Sequence, residues 1–171
     1  VKQGIVNTIN NGVSMITFLG HGSTQVTDID MGDTMDYFNS GRYPICYFNG
    51  CQIGNPCIPY GSRVFFSERM LRGNKRGAVA FLSQSALSEL FAVSSQMGHF
   101  YEAYYKTEFG NRLGDVIKRS IQTYEEPGNL LNRIHCQQLF LMGDPALKFT
   151  APDLPDYSIT EKVIYVDPPK A

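Results

Sequence analysis

Met15-Ile16-Thr17-Phe18-Leu19-Gly20-His21-Gly22-Ser23-Thr24 is an apolar run that breaks into a histidine bracketed by glycines. Further on, Tyr43-Pro44-Ile45-Cys46-Tyr47-Phe48-Asn49-Gly50-Cys51-Gln52-Ile53 repeats the form and breaks into Asn-Gly-Cys. Short, nearly continuous apolar runs suit parallel strands buried on both faces. Each strand then delivers one reactive side chain, the two lying 51 − 21 = 30 positions apart. In open α/β sheets, ligands bind off the carboxyl ends of the strands. His21 and Cys51 are therefore expected on one edge, at the ends of consecutive strands joined by a short crossover.

Outward from this pair the chain alternates between strand and helix signals. Lys2 to Ile9 reads as a helix stopped by Asn10-Asn11-Gly12. Strands are predicted over Val13–Leu19, Ile45–Phe48 and Ala78–Leu82, the third ending at Ser83-Gln84-Ser85. Asp33 is positioned to cap a short helix through Phe38, and Ser62 one through Arg72. Longer helical patterns cover Glu89–Phe109, Leu113–Tyr124 and Leu130–Leu141, and a last strand is expected at Lys148-Phe149. This alternation argues for an α/β sandwich with a mostly parallel sheet. From Ala151 the texture changes: Pro152, Pro155, Pro168 and Pro169 bracket Lys162-Val163-Ile164-Tyr165-Val166, an edge strand or the entry to another module.

With 171 residues the chain can build one domain with a sizeable core. A formal net charge of −1 gives no electrostatic case for nucleic acid, and no apolar run approaches the length of a membrane span. Four cysteines, Cys46, Cys51, Cys57 and Cys136, are too few for a disulfide scaffold, and their spacing fits no zinc pattern. No metal or cofactor is expected.

The chemistry of the pair follows from acid–base properties. A thiol attacks well only with a base or a stabilising charge nearby, and an imidazole with an ordinary pKa of about 6.5 suits that task. Gly22 and Gly50 allow close backbone approach, and the N–H groups of Gly22 and Cys51 are the best-placed oxyanion donors. Ser83, Gln84 and Ser85, on the next strand end, are candidates for lining the substrate cleft. Competing signals are weaker. His135 and Cys136 are helical neighbours that point apart, Cys46 reads as core, and His99 lies on an aromatic helix face. Cys57 reads as core or as an oxidative partner of Cys51. Asp28, Asp30 and Asp33 suit a solvated capping loop, with a cation or a basic side chain as the other reading.

The two strand ends together resemble the caspase-like clan of cysteine peptidases, and within it the gingipain family. The resemblance is carried by Gly20-His21-Gly22-Ser23, by Pro44 to Cys51, and by Ser67-Glu68-Arg69-Met70-Leu71-Arg72 with Gly77-Ala78-Val79-Ala80. Gly143-Asp144-Pro145-Ala146-Leu147 adds to it. It implies a caspase-like three-layer α/β/α sandwich and endopeptidase chemistry on protein or peptide substrates, with His21 and Cys51 as the dyad and Gly22 in the oxyanion hole. Residues 1–150 would form the peptidase domain, as its C-terminal part with further strands upstream. Residues 151–171 would be a Pro-rich tail or the start of an immunoglobulin-like module. Secretion, or display at a bacterial surface, is the implied setting. Gly50 departs from the family, which carries Ala before the nucleophile, and no third catalytic residue is assigned. Two other functions share this frame: an inactive peptidase-like scaffold, and a sortase-like acyl transferase in a surface or secretion complex.

Overall fold

A computed structural model describes residues 2–56 and 64–149. Its centre is a sheet of four strands in sequential order, β1 (Met15–Leu19), β2 (Ile45–Asn49), β3 (Ala80–Gln84) and β4 (Leu139–Met142). The first three run parallel, and β4 lies antiparallel against β3. The helices are α1 (Lys2–Asn11), α2 (Phe66–Arg72), α3 (Leu90–Glu102), α4 (Leu113–Tyr124) and α5 (Leu130–Gln138).

Side chains alternate across a strand, and here both faces are apolar. Cys46 and Phe48 of β2 and Phe81 of β3 enter a core with Val6 and Ile9 of α1 and Phe66 and Met70 of α2. Ile45 and Tyr47, with Ala80 and Leu82, enter a second core with Met97 and Phe100 of α3 and Leu113 and Val116 of α4. The molecule is thus helix, sheet, helix: a three-layer α/β/α sandwich with a mostly parallel sheet. Phe48 is the hub of the first core, its ring centroid 5.4 Å from Phe18, 5.0 Å from Phe81 and 5.6 Å from Phe66. Each such pair adds about 0.5–1.5 kcal/mol beyond its buried area. That packing fixes the strand end from which Cys51 projects.

Where the sequence pattern and the structure part, the cause is local. The helical pattern over Leu130–Leu141 stops at Gln138, and Leu139–Met142 turns into β4. Unpaired backbone groups on the free side of β3 bind this short apolar run, so the last described strand is Leu139–Met142 rather than Lys148-Phe149. Instead Lys148 forms an isolated bridge with Arg112, and Phe149 packs its ring 4.4 Å from Tyr104. The long pattern Glu89–Phe109 is α3 followed by a π-helical turn, Ala103–Thr107. Asp33 does accept the Met35 N–H, but it caps only a 3-10 turn, Thr34–Asp36. Ser62, Cys57 and the Pro-rich tail lie outside the described residues.

Candidate active site

β1 and β2 pair with Met15 opposite Ile45 and Leu19 opposite Asn49. The register offset, 49 − 19 = 30, equals the 51 − 21 = 30 that separates the two reactive side chains. His21 and Cys51 therefore leave adjacent strands at matched positions, two residues beyond the last pair. Neighbouring strands lie about 4.8 Å apart, and the backbone keeps the two ends together. Gly20 N donates to Asn49 O at 3.1 Å, and the β-carbon position of Gly50 falls 2.7 Å from Gly20 O and 3.6 Å from Gly22 N. Ile53, fully buried, fills the space between the glycines, its Cδ1 2.5 Å from the β-carbon position of Gly22 and 2.7 Å from that of Gly50.

The histidine sits at the neck of a small hairpin. Asp28 N donates to His21 O at 3.0 Å, Ser23 N to Val26 O at 2.8 Å, and the Asp28 carboxylate accepts His21 N at 3.3 Å. These bonds skip the Gly22 amide, which sits at the non-bonded pair with Thr27. Phe66 N donates to Thr24 O and Arg69 Nη2 to Gln25 O, so α2 anchors the hairpin tip. The His21 side chain is exposed. The other acidic residues of this loop are occupied: Asp30 accepts Gly32 N and pairs with Lys2, and Asp33 caps Met35. Among the described residues, no three His, Cys, Asp or Glu side chains converge as a metal cluster.

Cys51 is half-buried in a tight turn. Its thiol donates to Ser88 O at 3.6 Å and accepts Ser88 N–H at 3.5 Å. The next residue, Gln52, has φ = 60°, a left-handed conformation that is uncommon outside glycine. The turn is pinned to the end of β3 by Gln52 N to Ala86 O and Gly54 N to Gln84 O. Among the described residues, neither the Gly22 amide nor the Cys51 amide donates to a hydrogen bond.

The structure brings His21, Gly22 and Cys51 to one edge, but it does not put all three cleft candidates there. Ser83 and Gln84 lie within β3, which begins and ends two residues later than the apolar pattern suggested, and both are fully buried. Ser83 Oγ donates to Phe48 O, and Gln84 Nε2 donates to Gln96 Oε1 at 2.6 Å, so these two hold the sheet and α3 together. Ser85 is half-buried, and both its N–H and its hydroxyl donate to Gln138 O. Sequence reasoning missed Ser88, which touches the thiol through its main chain and so left no side-chain signal. It also missed Ile53 as the spacer between the glycines.

Among the described residues, the other thiols and imidazoles have different surroundings. Burial pushes the Cys46 thiol well above its ordinary range. Cys136 is pushed up to about 11, by burial first and then by the negative charge of Glu125. Buried His135 bonds Leu131 O through Nδ1 at 2.8 Å and accepts Glu89 N at Nε2 at 3.1 Å, which fixes its tautomer. His99 Nδ1 is 3.2 Å from Thr123 Oγ1.

The family model described as peptidase family C25 matches residues 1–150. Among solved structures, the Arg-specific cysteine proteinase gingipain R aligns with a TM-score of 0.72 at 18% identity, covering 87% of this chain and 36% of that one. The complex of Porphyromonas gingivalis RgpB pro- and mature domains aligns at 0.75 and 20%, covering 86% and 36%. A structure described simply as a protease aligns at 0.67 and 15%, covering 82% and 36%. At these identities the likeness is one of fold, and the chain spans 36% of the length of each structure. No curated protein matches.

Proposed function

The chain belongs to peptidase family C25, and we propose on that premise that it carries the nucleophile and base of a cysteine endopeptidase. In this reading the Cys51 thiolate, having given its proton to His21, attacks a peptide carbonyl. The tetrahedral oxyanion lies against the Gly22 and Cys51 amides. The C–N bond then breaks as His21 returns its proton to the leaving amine, and water, deprotonated by His21, cleaves the thioester. Removing one oxyanion donor in such a site costs roughly 100- to 1000-fold in rate.

The observation that carries the reading is the shared offset of 30 between sheet register and dyad spacing, with the Gly50 backbone set against Gly20 O and Gly22 N. The Gly22 and Cys51 amides, which donate to no hydrogen bond among the described residues, support it. Residues 1–150 act here as part of a peptidase domain, with an upstream region of the same protein as partner and residues 151–171 as a Pro-rich tail or the start of an immunoglobulin-like module. The complex of pro- and mature domains among the aligned structures supports the first partner. No described helix is long and apolar enough to cross a membrane, and release from, or display on, a bacterial cell is the setting this family suggests.

The test is covalent labelling by peptidyl acyloxymethyl ketones, read by mass spectrometry on the wild type, His21→Ala and Cys51→Ala. Modification at Cys51 that falls at least about 100-fold in His21→Ala is the expected result. Labelling at Cys51 no faster than at Cys136, and indifferent to His21, would leave a peptidase-like scaffold. Adding an amine nucleophile to turnover with a peptide substrate separates hydrolysis from acyl transfer, since a transferase gives the amide in place of the acid.

A further inference from the structure

We propose that a cavity among α3, α4 and the start of α5 binds a small organic cation, a guanidinium or ammonium on a short apolar stem. The proposal goes beyond the peptidase reading and does not depend on it. The cavity holds about 290 Å³. Its lining includes Phe91, Ser95 and His99 of α3, Thr123 of α4, Glu126 of the loop that follows, and Leu131 of α5.

The ligand class follows from which hydrogen-bonding groups the fold has already used. The Tyr124 hydroxyl donates to Ala92 O at 2.9 Å, and Asn132 Nδ2 donates to Tyr124 O at 3.0 Å. Asn129 Oδ1 accepts Asn132 N at 3.2 Å as the N-cap of α5. The single hydroxyl hydrogen of Thr123 is directed at Arg119 O and Ser120 O, each 3.1 Å away. At the 3.2 Å contact between His99 Nδ1 and Thr123 Oγ1, the imidazole is therefore the donor. A neutral ring with its hydrogen on Nδ1 keeps a lone pair on Nε2.

Glu126 adds the charge. Its carboxylate forms no ion pair among the described residues, and no described lysine or arginine lines the cavity. Two acceptors are thus left over, one of them negative, beside the Ser95 hydroxyl. Phe91 is 78% exposed and Leu131 44%, and both offer apolar wall. The face of an aromatic ring attracts a cation. A matching ligand carries a positive charge, several N–H donors and a few methylenes. An anion would be repelled by Glu126.

The walls are tied before anything binds. Tyr124 joins α4 to α3, Asn132 joins α5 to α4, and Asn129 N donates to Glu126 O at 3.1 Å. A site already ordered loses less entropy on binding than one that must be assembled. Because Glu126 is exposed, water and salt screen its attraction. Ring and stem contacts must share the task, and binding of about millimolar strength is expected for a ligand of this size.

The experiment titrates n-butylguanidine into the protein at its natural length, at low salt, and follows the His99 and Phe91 ring signals by NMR. Butylurea, a neutral molecule of the same shape, and butyrate, an anion, are the comparisons. We expect saturable shifts at both rings, with the guanidine binding at least about tenfold tighter than either comparison. Glu126→Gln should weaken the guanidine about tenfold and leave butylurea unchanged, and Phe91→Ala should weaken it several-fold. Both side chains are exposed, so neither variant empties a core, and an unmoved urea midpoint verifies the fold. Butylurea binding as tightly as the guanidine would overturn the proposal. So would an affinity indifferent to Glu126→Gln, or shifts that never saturate and spread evenly over the exposed carboxylates. None of these results bears on labelling at Cys51, so the peptidase reading is tested separately.

Discussion

A β-carbon on Gly50 would lie 2.7 Å from the Gly20 carbonyl oxygen, which belongs to the backbone and cannot swing aside. Gly50→Ala should therefore cost about 1–3 kcal/mol of stability, as overpacking does, read as a lower urea midpoint at unchanged slope. Ile53→Ala in the same chain should not restore it, because the clash with the oxygen persists. Gln52 offers a second test at this scale. With φ at 60°, Gln52→Val should lose stability, because a β-branched side chain is strained in the left-handed region beyond the roughly 1–2 kcal/mol that any side chain already carries there. Gln52→Gly should lose none of that, and the pair of urea curves separates conformation from contacts.

Among the elements, the turns before the strands are tied as firmly as the ends after them. Asn39 is fully buried; its Nδ2 donates to Gly77 O at 2.8 Å and to Arg42 O at 3.0 Å, while its Oδ1 accepts Gly77 N at 2.9 Å. One side chain thus joins the turn leading to β2 with the turn leading to β3. Asn39→Ala would strand buried polar groups at about 1–3 kcal/mol each, and a fall of at least about 2 kcal/mol in unfolding free energy is expected by urea titration. The legibility of the fold divides along the same lines. β1 and β2 were readable because each apolar run ends at a glycine, and their ends carry His21 and Cys51. β3 was displaced by two residues because Ala78 and Val79 belong to the apolar pattern but precede the pairing, which begins with Ala80 against Ile45. That small shift took Ser83 and Gln84 from the cleft into the sheet. β4 was hidden because Leu139-Phe140-Leu141-Met142 continues a helical pattern, and only the vacant side of β3 decides against helix. Ser88 was invisible for a different reason: main-chain contacts carry no residue type.

Across the molecule, burial holds phenols and thiols of the described residues protonated above their ordinary range. Burial is the first cause for both Cys136, pushed from 9.0 up to about 11, and Tyr124, pushed from 10.0 up to about 12, with nearby negative charge adding to each. A raised pKa means the folded chain holds its proton where the unfolded chain has released it. The stability tied to that proton is complete below pH 9 and is lost as pH climbs through 9 toward 12. Melting temperature should therefore fall across pH 9 to 11, and Cys136→Ser should make the fall shallower. Iodoacetamide at pH 7.5 should modify neither Cys46 nor Cys136 until the protein unfolds, which peptide mapping would show.

The shared offset of 30 has a consequence for how the chain can vary in length. Alignment of β1 with β2 is set inside the sheet, so a length change late in the crossover need not shift the two strand ends, whereas one in the two-residue spurs beyond the strands must. An extra glycine after Gly41 would open the turn that Asn39 closes onto Arg42 and cost stability, yet should leave His21 and Cys51 at matched strand positions. The same glycine placed after Gly20 should move the imidazole one step along its strand's line and silence the pair while the sheet still forms. A length change before β2 thus costs stability, whereas one after Gly20 costs the match between the two strand ends.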